Sequence, residues 1–378
     1  MNAPQHIDTG LEGIVVGTTA VSDVDGSAGR LSYRGAAIET LVEHPFAEVA
    51  TLVLLDRPDL STAPVRAFID GAVELTNAET ARVLALPRTL HPMHMLQSMI
   101  PTLDRQHDQP ALDTALLSAI DPGRSIPAAL PMEFAHGLSI ARKLPLLVAT
   151  HRAGMALRPA GSSYAERFLD AIDAPRQPGL AQAFEVMQIL QLEHSFNAST
   201  FAARVIASTE APIENALAGA IGTLHGRLHG GADQAALETA DAVGTPENAR
   251  AFVDRCLEEK RKVMGMGHRE YRVLDPRARF AKALAEKLTR GGPHEQTFKT
   301  LEAIEARFND RMAQRGKALY ANIEFYKGVI FRSLGLEPSC FTALFAMARA
   351  FGYLAHVLES RFDGRLIRPA ANYRPRTD

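Results

Sequence analysis

The chain has 378 residues, and its 41 Lys and Arg nearly balance its 43 Asp and Glu, leaving a formal net charge of -2. A chain this close to neutrality has no overall positive field for holding nucleic acid, which argues against a dedicated DNA or RNA binder. Its two cysteines, Cys256 and Cys340, exclude a disulfide scaffold and favour a reducing compartment. The N-terminus MNAPQHIDTG lacks the basic and apolar regions of a signal peptide, so we expect a cytoplasmic protein.

The start of the sequence predicts a short β ribbon, and the remainder predicts helices almost throughout. Residues 14–18 alternate as a strand does, Asp25 and Gly26 form a turn signal, and residues 31–33 are suited to a returning strand. Beyond the ribbon, apolar residues recur at helical spacing, as they do in residues 249–257. We therefore expect an all-α fold that carries a short N-terminal β ribbon.

Several helix ends can be predicted from capping signals. Ser163 and Glu166 form a capping-box pattern. Thr245 and Pro246 provide an N-cap and a proline for the first helical turn, so they predict the start of a helix. We expect Gly265 to end that helix, because glycine is favoured just after a helical C-terminus.

One apolar segment, PSCFTALFAMARAFGYLAHVL at residues 338–358, is long enough to span a bilayer. Arg349 lies near its middle, where the centre of a membrane would impose a large energetic penalty. We therefore interpret the segment as a buried core helix and expect no membrane association. A buried arginine needs an anion, which is either an internal Asp or Glu or the carboxylate of a ligand.

Histidines lie among glycines in LHGRLHGGA, at residues 224–232. His225 and His229 are four residues apart, a spacing at which two helical histidines can share a metal, but the glycines argue against a continuous helix. We expect no metal here. The glycines either let a ligand approach the backbone or form a turn around a hydrogen-bonded histidine. His91 and His94 have a weak metal spacing, which we interpret as a pair at the start of a helix.

A second glycine-flanked histidine, His268, occurs in MGMGHR at residues 264–269. Arg277 follows in the first turn of a helix that Asp275 and Pro276 predict, where a cation opposes the helix dipole. That position suggests an anionic partner for Arg277. The partner is either Asp275, in a plain salt bridge, or a bound ligand.

A further helix begins within NIEFYKG, with Asn322 as the candidate cap and Glu324 in the first turn. Taken alone, this glutamate is explained by compensation of the helix dipole. A polar island, HSFNAST at residues 194–200, lies in apolar surroundings and is either a buried network or part of a site.

The combination of these segments resembles the citrate synthase family. Eight segments occur in the family's order between Gly10 and Tyr373, along nearly the whole chain. They are GLEGIVVGTTAVSDVDGSAGRLSYRG, LHPMHMLQSMIPTL, FNASTFAARVIAST, LHGRLHGGA, MGMGHREYRVLDPRA, NIEFYKG, FAMARAFGYLAHVLE and LIRPAANY.

The resemblance implies an all-α, two-domain subunit in an intertwined homodimer. The large domain would comprise residues 1–231 and 336–378, and a small domain of residues 232–335 would close over the substrates. The implied reaction is a Claisen-type condensation of an acyl-CoA with oxaloacetate, followed by hydrolysis of the thioester. No metal or other cofactor would be needed, because the coenzyme A thioester is itself a substrate.

The resemblance also implies roles for individual residues. Removal of a weakly acidic thioester α-proton needs a positioned base and a donor for the developing enolate oxygen. Glu324 matches the family's base, His229 the histidine on the thioester carbonyl, and His268 the histidine on the oxaloacetate carbonyl. The implied oxaloacetate contacts are Gln191, His194, Arg277, Arg349 and, from the other subunit, Arg368; the implied CoA contacts are Gly265, Gly267, Arg315 and Lys317.

Three residues depart from the family pattern. The usual base is an aspartate, and the extra methylene of Glu324 moves the carboxylate by roughly 1 Å, a displacement that can cost about 100-fold in rate. Gln191 replaces a histidine that touches oxaloacetate in many members. Asp233 replaces the usual asparagine after His-Gly-Gly-Ala.

We therefore expect a citrate synthase that uses acetyl-CoA and oxaloacetate. The close alternative is a 2-methylcitrate synthase using propionyl-CoA, because Glu193 and Phe196 resemble that branch of the family. A third possibility, motivated by Glu324 and Gln191, is a catalytically weakened relative that binds CoA or oxaloacetate without efficient turnover.

Overall fold

A computed structural model describes residues 10–11, 13–55, 63–105, 131–371 and 373. Across these residues the structure has sixteen α-helices and three short strands, in agreement with the predicted all-α fold with a short β ribbon. The helices are α1 (Ile38–Leu41), α2 (Phe46–Leu55), α3 (Ala63–Ile69), α4 (Asn77–Ala85), α5 (Pro92–Met99), α6 (Pro131–Ala153), α7 (Tyr164–Ala171), α8 (Leu180–Gln191), α9 (Ala198–Ala207), α10 (Ile213–Leu224), α11 (Ala232–Val243), α12 (Ala249–Glu258), α13 (Ala278–Thr289), α14 (Glu295–Gln314), α15 (Ile323–Ser333) and α16 (Phe341–Asp363). Short 3-10 turns occupy Ile100–Thr102, Pro246–Asn248 and Pro338–Cys340.

The predicted β ribbon is present, but its first strand was placed wrongly. Strand β1 (Ser22–Asp25) pairs antiparallel with β2 (Arg30–Tyr33), and β2 pairs with β3 (Ala36–Ala37). Residues 14–18 are mostly exposed and outside the strands. The reason is the turn: the side chain of Asp25 accepts backbone hydrogen bonds from residues 27 and 28, so β1 ends at Asp25.

The ribbon is fixed to the helical core by one buried side chain. The hydroxyl of Tyr33 donates to the carbonyl oxygens of Ile189 and Glu193, at 2.9 and 3.1 Å. These two residues lie at and just beyond the C-terminal end of α8. The ribbon therefore supports the segment that carries Gln191 and His194.

The long apolar segment is a core helix, as predicted. Helix α16 packs against α2, α6, α8, α9 and α10. Its most apolar 18-residue window would be long enough to cross a membrane, but that window is completely buried inside the protein. Gly352 lets α16 lie close to the end of α8, since a Cβ there would be 2.5 Å from Oε2 of Glu193. Arg349 is consequently buried next to the same segment.

Residues 232–333 contribute a second group of packed helices. Helix α15 lies between α11 and α13, and α14 packs across them. The helices lie in the region predicted to form the small domain, residues 232–335, and the division into two domains stays a prediction.

The prediction that one helix would run from Thr245 to Gly265 was wrong. A 3-10 turn follows Thr245, and α12 ends at Glu258. The chain turns there because Lys260 adopts a left-handed conformation, with φ of 55°, and the amide of Arg261 bonds back to the carbonyl of Cys256 at 2.8 Å. Gly265 instead lies in the loop that carries His268.

Candidate active site

Two segments that the sequence singled out separately are joined in the structure. Met266 and Ala321 form an antiparallel β-bridge. Next to it, the backbone amide of Asn322 donates to the carbonyl of Gly265 at 2.9 Å, and its side-chain Nδ2 donates to the carbonyl of Gly267 at 2.8 Å. The loop that carries His268 is therefore fixed against the start of the helix that carries Glu324.

Gly265 allows this close approach. Its φ is +79°, and a Cβ at this position would lie 2.8 Å from Cδ2 and 3.0 Å from Cα of Phe325. Any larger residue would push the loop away from α15. Gly267 also has a positive φ, of +85°, so both glycines of the motif are required by backbone geometry.

The side chain of Asn322 caps α15, as predicted. Its Oδ1 accepts a hydrogen bond from the amide of Glu324 at 2.9 Å, and Glu324 therefore lies in the first turn of the helix. The carboxylate of Glu324 forms an ion pair with Nζ of Lys327, three residues further along the same helix. Glu324 is mostly buried, with 14% of its side chain exposed, whereas the side chain of Lys327 is completely buried.

Lys327 is a site residue that the sequence reasoning missed. Its Nζ lies 4.6 Å from the ring centroid of Phe345, and Cζ of Arg349 lies 4.6 Å from the same centroid. The signal in the sequence was a lysine within the apolar run FYKGVIF, three residues after a glutamate. Lys327 and Phe345 thus connect the predicted base to the buried arginine of α16.

His229 is held by a network from two other helices. Its Nε2 lies 2.7 Å from Oγ of Ser199 and 3.2 Å from Oδ1 of Asn197, the residue that caps α9. The hydroxyl of Tyr353 donates to the same Ser199 Oγ at 2.7 Å. The polar island at residues 194–200 is therefore both a buried network and the support of His229.

The position of His229 is also fixed through its backbone. Gly230 follows it in a tight turn, where a Cβ would lie 2.8 Å from Cγ2 of Thr342. Burial, followed by the charge of Arg349 and then of Lys327, lowers the pKa of His229 to about 4. The imidazole is therefore neutral near pH 7.

His268 is neutral as well, and its hydrogen bonds define its tautomer. Nδ1 accepts from the backbone amides of Glu270 and Tyr271, at 3.0 and 3.3 Å. A nitrogen that accepts two amide protons carries none of its own, so the proton of the neutral ring is on Nε2. Burial, and then the charge of Arg277, lowers the pKa of His268 to about 4.

Arg277 has the anionic partner that its position suggested. Its Nε and Nη2 donate to the two carboxylate oxygens of Asp275, at 3.0 and 2.9 Å, and both residues are buried. The internal salt bridge considered from the sequence is thus present. Nη2 also lies 3.4 Å from Nε2 of His268. Two donors side by side form a favourable position for an acceptor oxygen of a ligand.

Burial would raise the pKa of Asp275, but the neighbouring charge and hydrogen bonds of Arg277 lower it below its usual value. Its Oδ2 also accepts from the amide of Ile323, at 3.2 Å. Asp275 therefore keeps Arg277 in place and ties it to the start of α15.

His194 lies beside His268. Their ring centroids are 5.4 Å apart, and Nε2 of His194 lies 3.1 Å from the hydroxyl of Tyr271. Burial lowers the pKa of His194 well below its usual value, and the charges of Arg277 and Arg349 add to this effect. The structure therefore groups three neutral histidines with two buried arginines.

Arg349 is only 1% exposed, and its Nε donates to the backbone carbonyl of Gln191 at 2.7 Å. Among the described residues, no carboxylate lies within 4.0 Å of its guanidinium group. Glu193 is nearby, but its carboxylate is held by His356 at 3.0 Å. The side-chain amide of Gln191 is buried and has no hydrogen-bond partner in the described part of the chain. These two side chains are suited to an acidic, hydrogen-bonding ligand.

Comparisons by sequence and by structure found similar proteins. The protein-family model described as citrate synthase, C-terminal domain, matches residues 10–370 of this chain. The chain is 33% identical to the citrate synthase of Acidithiobacillus ferridurans, across 98% of this chain and 96% of that protein. It is 34% identical to the 2-methylcitrate synthase of Mycobacterium tuberculosis, across 97% of this chain and 90% of that protein.

Among solved structures, the citrate synthase of Thermoplasma acidophilum, in its ternary complex with carboxymethyl coenzyme A and oxaloacetate, superimposes with a TM-score of 0.83. The two chains are 26% identical, with 99% of this chain and 97% of that one covered. The chain belongs to the citrate synthase family. It is accordingly an acyltransferase of the citrate synthase type, and the predicted family and all-α fold are confirmed.

Three residues that the citrate synthase resemblance assigned are exposed on the surface of the single chain. Arg368 is exposed, in the extended segment that follows α16. Arg315 and Lys317 are exposed at the end of α14, in the turn that leads to Ala321. Their roles at the subunit interface and on CoA stay predictions.

The two histidines of the LHGRLHGGA motif lie in different surroundings. His229 contacts Ser199 and Asn197, whereas His225 lies beside His91 and His94. His225 caps the end of α10, and its ring lies 4.4 Å from that of His91 and 4.7 Å from that of His94. His91 is the N-cap of α5, which confirms the helix-start interpretation. Within the described residues, no group of three or more His, Cys, Asp or Glu is arranged to hold a metal ion.

Proposed function

We propose that this protein condenses acetyl-CoA with oxaloacetate and hydrolyses the citryl thioester, releasing citrate and CoA. The observation that carries the proposal is that one carboxylate and two neutral histidines lie next to buried arginines. Glu324 is tied to the loop of His268 through Asn322, and His229 lies near the cations of Arg349 and Lys327. This set supplies a base, two neutral donors and an anion site.

In the proposed condensation, Glu324 takes an α-proton from the methyl group of acetyl-CoA. His229 donates to the thioester oxygen, where negative charge develops. In the structure the hydroxyl of Ser199 donates to Oδ1 of Asn197 at 2.7 Å and also lies 2.7 Å from Nε2 of His229. We propose that Ser199 turns its proton to Nε2 during the reaction, so that the neutral ring carries its own proton on Nδ1 and donates it to substrate. The low pKa of His229 favours a neutral donor that stabilises the enolate without charging the site.

The carbon of the enolate then attacks the ketone carbon of oxaloacetate. A carbon–carbon bond forms, the carbonyl π bond breaks, and the new alkoxide takes up a proton. Nε2 of His268 carries the proton beside Nη2 of Arg277, so we place the ketone oxygen between these two groups. Water then hydrolyses the citryl thioester to give citrate and CoA.

We place the carboxylates of oxaloacetate on Arg349 and Arg277. Arg349 is buried without a carboxylate partner among the described residues, and a bidentate carboxylate would satisfy its guanidinium group. Gln191 and His194 would complete the pocket through their buried polar groups. Asp275 leaves Arg277 only part of its hydrogen-bonding capacity, so we assign Arg349 the larger share of the affinity.

We further propose that the protein acts as a homodimer in which Arg368 reaches the site of the partner subunit. In the single chain the side chain of Arg368 is exposed in the segment that follows α16. We assign CoA to the surface formed by Gly265, Gly267, Arg315 and Lys317. We also assign the protein to a reducing compartment such as the cytoplasm, in which the buried Cys256 and Cys340 stay free thiols.

The second candidate function is 2-methylcitrate synthesis from propionyl-CoA, which the similarity to the mycobacterial 2-methylcitrate synthase favours. One methylene in an apolar pocket changes selectivity only about 10–200-fold, so both acyl-CoA substrates must be compared.

The test measures thiol release with oxaloacetate and each acyl-CoA, and identifies the product by mass. We expect citrate, and a higher kcat/KM for acetyl-CoA. An equal or higher kcat/KM for propionyl-CoA would contradict this proposal and favour a 2-methylcitrate synthase. Binding of oxaloacetate by calorimetry without thiol release from either substrate would indicate the weakened binding protein instead.

A further inference from the structure

Glu324 and Lys327 form a pair of side chains on α15, and the family resemblance assigns a role to Glu324 but none to Lys327. Both lie in the first turns of α15, and Nζ of Lys327 forms an ion pair with Oε2 of Glu324. Lys327 is 0% exposed. A buried ammonium group is costly unless it is paired, so the carboxylate of Glu324 is what makes the burial of Lys327 tolerable.

The ion pair with Lys327 involves one carboxylate oxygen of Glu324, Oε2. Oε2 is buried against Lys327, while the side chain as a whole keeps 14% of its surface exposed. The accessible part therefore consists of the other atoms of the side chain. A glutamate has one more rotatable bond than an aspartate, and a fixed Oε2 removes that additional freedom.

A second buried pair in the protein shows what a structural lysine looks like. Nζ of Lys143 lies 3.1 Å from Oε1 of Glu79, and both side chains are almost completely buried. The carboxylate of Glu79 also accepts from the backbone amides of Thr76 and Asp104, at 2.8 and 2.9 Å. That pair connects α4 to its neighbours. Lys327 instead pairs within its own helix and faces Phe345 in the site.

We propose that Lys327 is a positioning residue for Glu324: its ammonium group fixes Oε2 and thereby the direction of the longer base side chain. This inference rests on the proposed function, since Glu324 must act as the base. Proton transfer neutralises Glu324 while the enolate oxygen gains a negative charge. The ammonium therefore stays in a site of unchanged net charge, and it helps to accommodate the enolate.

Other charged and titratable groups lie on α15 and on the segments packed around it, and the test variants leave all of them unchanged. On the site side they are His229, His268, Asp275, Arg277 and Arg349, and on the opposite side of α15 they are Lys282, Glu305 and Tyr326.

The test compares Lys327→Met and Lys327→Arg with the control Lys143→Met, each by the pH dependence of kcat/KM for thiol release. An ammonium near a carboxylate favours its ionised form, so Lys327→Met should move the acidic limb of the profile to higher pH. We expect kcat to fall by about 100-fold, as for a base misplaced by roughly 1 Å, with the KM for oxaloacetate within about twofold of the wild type. Lys143→Met should lower the thermal midpoint while leaving kcat and the acidic limb in place.

Lys327→Arg keeps the positive charge but changes its position. We expect its acidic limb to stay near that of the wild type, while kcat is reduced. If Lys327→Met does not fold, the kcat of Lys327→Arg tests whether Lys327 positions Glu324. Unchanged kcat and an unchanged acidic limb in either soluble variant would overturn the inference and leave the proposed function intact. A wild-type protein that releases no thiol from either acyl-CoA would overturn both.

Discussion

Asn322 joins the two catalytic segments: its Nδ2 donates a 2.8 Å hydrogen bond to the carbonyl of Gly267, and its Oδ1 caps the helix that begins with Ile323. One side chain thus fixes the direction of the helix that carries Glu324 and the position of the loop that carries His268. The distance between the proposed base and the ketone-binding histidine depends on this bond.

Replacement of Asn322 by alanine should therefore affect turnover more than stability. Loss of an N-cap costs about 1 kcal/mol, whereas a shift of roughly 1 Å between reacting groups can cost about 100-fold in kcat. Ser163→Ala is a matched control, because Ser163 caps α7 by accepting from the amide of Glu166 at 3.2 Å. Denaturant unfolding should give similar losses for the two variants, and only Asn322→Ala should have a low kcat. Equal kcat values would show that the bond to Gly267 does not position the site.

Arg349 should control the affinity for oxaloacetate. Arg349→Leu removes a buried cation with which we pair a substrate carboxylate, and loss of one partner of such a pair costs about 2–5 kcal/mol. We expect the Kd for oxaloacetate, measured by calorimetry, to rise at least about 30-fold. Arg142→Leu is the control, since Arg142 is also buried, and its guanidinium lies over the ring of Phe68, at 3.8 Å from the centroid.

If Arg142→Leu weakened oxaloacetate binding as much as Arg349→Leu, the effect would come from general destabilisation. A normal Kd in a folded Arg349→Leu protein would remove Arg349 from the substrate site.

The two neutral histidines predict how stability depends on pH. Folding lowers the pKa of both His229 and His268 to about 4, compared with about 6.5 in the unfolded chain. The unfolded state therefore binds more protons between these values, and the contribution to stability is fully present above about pH 6.5 and is lost as the pH falls to about 4. Each unit of lowered pKa corresponds to about 1.4 kcal/mol.

Denaturant unfolding across this range should show that His229→Gln and His268→Gln each reduce the loss of stability on acidification. His44→Gln is the control, because His44 lies on the surface beside Glu48. Slopes identical to that of the wild type in both site variants would contradict the assignment of neutral, partly buried histidines.

Much of the fold was predictable from local patterns. The apolar segment with a single arginine correctly predicted a buried core helix, and Asn322 and His91 were correctly identified at helix starts. The errors came from backbone conformations that local patterns do not specify. Lys260 in a left-handed conformation ends α12 early, and the turn at Asp25 determines where β1 lies.

The site was less predictable than the fold, because its contacts join distant parts of the chain. The support of His229 comes from Ser199 and Tyr353, which lie 30 residues before it and 124 residues after it in the sequence. Lys327 had only a local signal, a buried-looking lysine near a glutamate. No spacing rule connects either feature to the chemistry, so three-dimensional contacts were needed.

The most direct test of the account compares citrate formation by the wild type and Glu324→Gln at saturating acetyl-CoA and oxaloacetate, with Glu302→Gln as the control on the exposed surface of α14. A glutamine keeps the size of the side chain but cannot accept the α-proton. We expect Glu324→Gln to lower kcat by at least about 100-fold while oxaloacetate binds with unchanged affinity, and Glu302→Gln to behave as the wild type. Near-normal citrate formation by Glu324→Gln would contradict the assignment of Glu324 as the base.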